Sequence, residues 1–197
     1  MGLALRDAAH HTFRDYLGWH DGQRWELVDG TAYAMSPAPT RLHQHFVGEI
    51  FFQLRRALDG KPCLAYLSPI DVRLPKHAEA DDDVDDVVQP DVLVVCDRAK
   101  LDERGVRGAP DLVVEVLSAA TAAHDIIRKR RLYERAGVRE FWLVHPVDRL
   151  VTVYRLQPDG YGKPDIQALE GTTAVGVLAG VAIEWDPVVA TLAPQPE

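Results

Sequence analysis

The run DLVVEVLS, Asp111 to Ser118, is almost wholly apolar, and its one interior charge is Glu115. A strand apolar on both alternating faces belongs in the middle of a sheet covered on both sides, since a sheet facing solvent shows period-two alternation instead. The chain then changes character. A small-residue loop leads into a segment with helical spacing, from about His124 to Ala136, which Gly137 stops. EFWLVHP follows with a second strand pattern, and LVTVYRL returns from it through Asp148 as a hairpin.

The upstream sequence supplies the remaining elements. His11 to Leu17 reads as a short helix, and RWELVDGTAYAM as two strands around Asp29-Gly30, a dipeptide that favours a tight turn. SPAPT, Ser36 to Thr40, is a loop by its prolines. From His43 to Leu58 a helix is expected: Phe46, Ile50, Leu54 and Leu58 fall on one stripe, Val47 and Phe51 widen it, and Gly60 caps it. YLSPIDVRL and VVQPDVLVV are strand-like, and the acidic stretch between them is expected to be a mobile hairpin loop. GVAIEWDPVV reads as one more strand or edge segment. The order is αβββαβ with a β-rich tail, an α/β class, and 197 residues fit one domain with a single core.

No run of about 18 apolar residues exists, so no transmembrane helix is expected, and the first twenty residues do not read as a signal peptide. Cys63 and Cys96 lack CxxC spacing. They are read as reduced thiols of a cytoplasmic protein, with zinc disfavoured. The net charge of −8 weighs against a nucleic-acid role, because such binding rests on Lys and Arg neutralising phosphates. The charge is uneven, however. Glu79 to Asp86 carries acids and no base, whereas Arg128, Lys129, Arg130, Arg131, Arg135 and Arg139 face the single acid Glu134 in their segment. A locally basic face survives, and a bound divalent metal would add positive charge. The acidic stretch lacks the glycine and terminal Glu of an EF-hand loop and reads as solvated.

Two acids and one base stand out. On VVQPDVLVV, Asp91 shares a face with Gln89, Leu93 and Val95; on DLVVEVLS, Glu115 shares one with Asp111, Val113 and Leu117. If the strands pair, Asp91 and Glu115 meet. Asp111 lies four residues from Glu115, roughly 13 Å away at ~3.3 Å per residue, too far to share one ion. An unpaired carboxylate in an oily strand costs several kcal/mol or takes up a proton, a cost that a metal or a lysine removes. The plainer alternative is a carboxylate at a strand end, exposed or paired with a structural Arg. Asp125, Lys129 and Tyr133 share one helical stripe, for which an ordinary ion pair on a solvated face is the alternative. Phe141 and Trp142 are read as core rather than as base-stacking groups.

With these residues in place, the chain resembles a known family. PAPTRLHQ, QPDVLVV, GAPDLVVEVLS, the Asp125-x3-Lys129-x3-Tyr133 pattern and AGVREFWLVHP are similar to the Uma2-type (DUF820) restriction-endonuclease-like proteins, within the PD-(D/E)xK nuclease superfamily. The resemblance runs from about Trp25 to Tyr154 and more weakly into the tail. It implies a restriction-endonuclease-like αβββαβ core at about residues 25–155 of a single domain spanning 1–197, with a central mixed sheet, flanking helices and extra C-terminal strands.

It further implies that Asp91 and Glu115 are metal ligands. The superfamily's usual lysine position is Leu117 here, and Lys129 matches the place to which related families move that lysine. Glu26, in RWELVDG, is the first choice for a third acid and Glu49 its rival. His43 also matches a family position, with a structural or capping role as open as a catalytic one, and for Gln89 a role in orienting Asp91 or water is as open as a structural one. The implied activity is Mg²⁺-dependent hydrolysis of DNA phosphodiester bonds, with Mn²⁺ able to substitute. A homodimer is compatible with cutting two strands. The competing readings are a catalytically inert module binding a protein or nucleic-acid partner, and a hydrolase acting on RNA or on a small phosphorylated molecule.

Overall fold

A computed structural model describes residues 9–35, 38–117 and 123–190, with the side chains of 123–125 excepted. The chain begins with α1 (Phe13–Leu17), the hairpin β1 (Trp25–Val28) and β2 (Thr31–Ala34), and α2 (Arg41–Ala57). Then come β3 (Leu64–Leu67), β4 (Val72–Arg73), β5 (Val87–Val88), β6 (Val92–Val95), β7 (Leu101–Asp102), β8 (Gly105–Arg107) and β9 (Leu112–Val116). α3 (Ala123–Ala136) leads to β10 (Glu140–His145), β11 (Leu150–Gln157), β12 (Gly160–Tyr161) and β13 (Asp165–Ala168). The pair β14 (Thr172–Ala174) and β15 (Ala182–Glu184) and the helix α4 (Trp185–Ala190) end the described part.

The main sheet has the order β12-β11-β10-β9-β6-β3, with β13 also on β11. β3, β6 and β9 run antiparallel to their neighbours among themselves, and β9 and β10 are parallel, joined through α3. α2, β3, β6, β9, α3 and β10 are thus the expected αβββαβ core. A second sheet, β2-β1-β5-β4-β8-β7, packs beside it. The class is mixed α/β, as the sequence implies.

Period-two alternation sorts the central strands onto two cores. Val92, Val94, Val114 and Trp142 pack with Phe46, Ile50 and Leu54 of α2. Leu93, Val95, Val113 and Phe141 pack with Leu132 and Tyr133 of α3. Each such side chain contributes about 1.5–3 kcal/mol by leaving water, so a register slip of one residue, which exchanges the faces, is strongly disfavoured. The helix ends follow local chemistry. The Thr40 hydroxyl accepts from the His43 N–H at 3.2 Å at the start of α2, and Gly137 takes φ 87° after α3.

Several expectations need correction. YLSPIDVRL and VVQPDVLVV are each split at a proline: β3 and β6 lie in the main sheet, β4 and β5 in the second. Pro69, after a cis bond, and Pro90 stand at the crossings, where no ladder N–H is required. α2 starts at Arg41 and ends at Ala57, with Gly60 beyond its Leu58 cap. In the tail, only Ala182–Glu184 is strand; Trp185–Ala190 is helical, and Trp185 is buried near Trp142.

The acidic stretch is an ion-pair hub rather than a loose loop. Arg73 is fully buried and bonds to Asp81 and Asp102, while Arg104 and Arg107 also reach Asp81. Asp86, 1% exposed, accepts from the Asp29 N–H and from Arg135. A buried guanidinium requires such partners, and they come from distant parts of the chain. Cys63 and Cys96 form a disulfide. The β3–β6 register, continued one residue past Leu64↔Val95, sets them opposite each other. The thiol reading is therefore corrected. No helix among the described residues is long and apolar enough to cross a membrane.

Candidate active site

The site lies where the two sheets meet, at the end of β6 and β9. Strands β6 and β9 pair Val92 with Val114; one step further along this register Asp91 stands opposite Glu115. Glu115 follows Val113 on the face covered by α3, so Lys129 and Tyr133, one helical turn apart, project onto it. The Lys129 ammonium donates to Glu115 Oε1 at 3.1 Å and the Tyr133 hydroxyl to the same oxygen at 2.7 Å. Glu26 arrives from β1 in the second sheet: its Oε1 accepts from Lys129 at 3.0 Å and from the Gln89 N–H at 2.9 Å. Asp91 Oδ2 accepts from the Val116 N–H at 2.8 Å and lies 3.2 Å from His43 Nε2.

The electrostatics follow from burial. Glu26 is 3% exposed and Glu115 and Lys129 each 8%. Burial, against the opposing pull of Lys129 and with the added repulsion of Asp91 and Glu26, pushes Glu115 up to about 8. Burial and the neighbouring Glu115 carboxylate hold the Tyr133 phenol well above its ordinary value, so it is a fixed donor. At His43 burial opposes the charged ring, but the hydrogen bond and charge of Asp91 outweigh it and raise the imidazole above its usual value.

Four of the expected site residues, Asp91, Glu115, Lys129 and Glu26, therefore stand together. His43 joins them through Asp91, with its Nδ1 buried and without a hydrogen-bond partner among the described residues. Gln89 joins through its backbone, while its side chain accepts from Arg24 and donates to Tyr16 and Asp71. Glu49 makes no hydrogen bond or ion pair with this group among the described residues, and the Asp125 side chain lies outside them. Asp111 is engaged elsewhere, by the Cys96 N–H and Arg139. The basic segment of α3 and the turn after it is mostly neutralised: Arg130 pairs with Glu134, Arg135 with Asp29 and Asp86, and Arg139 with Asp111.

Two contacts are not apparent from the sequence: Tyr133 as a donor to Glu115, and Arg24 beside Gln89. The signal for Arg24 was its place two residues before Glu26, on the same face of an extended segment.

The donor set suits a hard divalent cation. Each carboxylate commits one oxygen to protein donors, and Asp91 Oδ1, Glu115 Oε2 and Glu26 Oε2 accept no hydrogen bond among the described residues. No three His, Cys, Asp or Glu side chains among the described residues form a ready cage. An ion such as Mg²⁺, which keeps several waters and takes few carboxylates, would draw on Asp91 and Glu115 here and not on an all-protein site.

The profile of a family described as "Uma2: Putative restriction endonuclease" matches residues 12–186. The chain belongs to the Uma2 family. An uncharacterized protein of Synechocystis sp. (slr1290) is 29% identical over 149 residues, 74% of each chain. A crystal structure from Anabaena variabilis, described as a putative nuclease belonging to DUF820, superposes with a TM-score of 0.72 at 17% identity, covering 91% of this chain and 97% of its own. At that identity the likeness speaks for the fold, and this Uma2 chain shares it.

Proposed function

We propose that this Uma2 protein is a metal-dependent endonuclease that hydrolyses DNA phosphodiester bonds, with Asp91 and Glu115 holding Mg²⁺ and with Lys129, paired to Glu26, acting beside them. The observation that carries the reading is the Lys129 ammonium within hydrogen-bond reach of Glu115 and Glu26 on two different sheets, with Asp91 opposite Glu115. Membership of a family described as "Putative restriction endonuclease" supports the same reaction class.

Bound Mg²⁺ would lower the pKa of a coordinated water and offset charge on the phosphoryl oxygens. The chain's own groups do the rest. Lys129, a compact cation with rotatable donors, orients the attacking water or the scissile phosphate. Tyr133 and His43 hold Glu115 and Asp91 in place, as supporting hydrogen bonds do for ligating carboxylates. Water adds to phosphorus in line with the departing oxygen and gives up a proton to solvent, the P–O bond breaks, and the departing oxygen takes a proton from solvent to leave as the alcohol.

Nicking of supercoiled plasmid in Mg²⁺, or in Mn²⁺ as a substitute, tests the reading. Activity should vanish in Asp91→Ala and Lys129→Ala and fall in Lys129→Arg, whose guanidinium is larger and planar. Wild-type rates in both Lys129 variants refute the assigned role. The second reading, an inert module that keeps the fold to bind a partner, is favoured by one observation: Lys129 is already neutralised by two glutamates. Calorimetry with Mn²⁺ separates the two, since metal binding unaffected by Asp91→Ala fits the module.

A further inference from the structure

A chain of net charge −8 that acts on a polyanion needs local cations beside its acids. Many arginines of the chain are spent on carboxylates: Arg73, Arg104, Arg107, Arg135 and Arg139 all form ion pairs. Arg24 differs. It is exposed, and among the described residues its side chain bonds only to neutral groups: Nε to Gln89 Oε1 at 2.8 Å, and Nη2 to that oxygen and to the Ser68 hydroxyl.

The position of this guanidinium is set by the site itself. The Met35 N–H bonds to the Arg24 carbonyl, so the β1–β2 ladder extends to Arg24, and alternation places its side chain on the face of Glu26. Gln89, 7% exposed, is the shared anchor: its N–H holds Glu26 and its side-chain oxygen holds Arg24. The amide end of Gln89 is fixed in turn by Tyr16 and Asp71. On the far side of Glu26, its cross-strand neighbour Tyr33 carries the Arg128 guanidinium 3.8 Å from the ring centroid.

We infer that Arg24 is a substrate-binding residue: it contacts a backbone phosphate flanking the scissile one through its Nη1 edge, which has no acceptor among the described residues. The inference rests on the nuclease reading above. An arginine whose Nε and Nη2 are pinned on a buried amide and a hydroxyl presents Nη1 without further loss of rotamer freedom, and the two Nη1 hydrogens are donors for phosphate oxygen. Because Gln89 holds both Arg24 and Glu26, the phosphate contact and the acidic centre keep a constant separation.

Fluorescence anisotropy tests this with the full chain, a fluorescein-labelled DNA duplex and Ca²⁺ in place of Mg²⁺, over a series of salt concentrations. Arg24→Gln should weaken binding several-fold and lower the slope of log K against log salt by about one. Arg24→Lys should keep the slope and part of the affinity. Arg98→Gln, an exposed arginine away from the site, removes the same charge and should leave the slope unchanged. Melting curves confirm that each variant is folded. An Arg24→Gln slope equal to wild type overturns the inference. So does an equal fall in Arg98→Gln, which reports net charge alone. If that wild type still nicks plasmid, the nuclease reading stands without the inference; a wild type that neither binds nor cuts nucleic acid removes both.

Discussion

Lys129 lies 3.1 Å from Glu115, though fourteen residues separate them in the chain. The parallel step from β9 through α3 to β10 makes the contact, because the helix returns over the sheet face on which Glu115 stands. With Glu26 on its other side, the ammonium stands between two acidic side chains, each almost wholly buried.

Removing that ammonium should be costly without metal. Lys129→Ala leaves Glu26 and Glu115 buried without a cation, a change of about 3–5 kcal/mol in comparable buried pairs. Urea melts in EDTA measure it. A loss under about 1 kcal/mol contradicts the network, and added Mg²⁺ should restore part of the stability by binding the folded state.

Tyr133→Phe isolates one hydrogen bond. The ring stays in its pocket against Phe141, and Glu115 loses only a donor. Stability should fall by about 1 kcal/mol, and metal affinity or turnover by about 10–100-fold, as for other groups that orient a ligating carboxylate. Calorimetric Mn²⁺ titration and a nicking assay check it; unchanged metal affinity together with unchanged turnover assigns Tyr133 to packing alone.

Much of this arrangement was legible in the sequence. The apolar run around Glu115 and the stripe Lys129–Tyr133 imply a buried strand followed by a helix, and both strand faces come out as alternation requires. The ion pairs were not legible, because their halves are remote: Arg73 meets Asp102, and Arg135 meets Asp86 across 49 residues. A local charge tally therefore reads solvated loops and faces where the fold has buried pairs. The disulfide was hidden for the same reason, since only the β3–β6 register brings Cys63 to Cys96.

That disulfide closes a loop between positions 33 residues apart. Chain-entropy arguments give about 3–4 kcal/mol for a loop of this size. Thermal melts with and without reductant should separate by several degrees, and Cys63→Ser should melt like the reduced protein. Coincident curves for oxidised and reduced chain contradict this.

Acid should loosen the second sheet. Burial works against the charges of Asp29 and Asp102, but hydrogen bonds from Lys76 and Arg135 to the first, and from Arg73 to the second, hold both carboxyls below the ordinary value. A carboxyl depressed in the folded state adds stability above its unfolded value of about 3.9, and that stability is lost as pH falls through the folded value. Asp102→Asn should therefore lower stability at neutral pH and flatten the acid limb of a stability–pH profile. An acid limb identical to wild type rules the pairing out as a contributor.

The most direct measurement is anomalous scattering from a crystal soaked in Mn²⁺. A peak bounded by the Asp91 and Glu115 carboxylates is the expected result. A map with no peak there at saturating Mn²⁺, and with Lys129 still bonded to Glu26 and Glu115, contradicts the metal-dependent site.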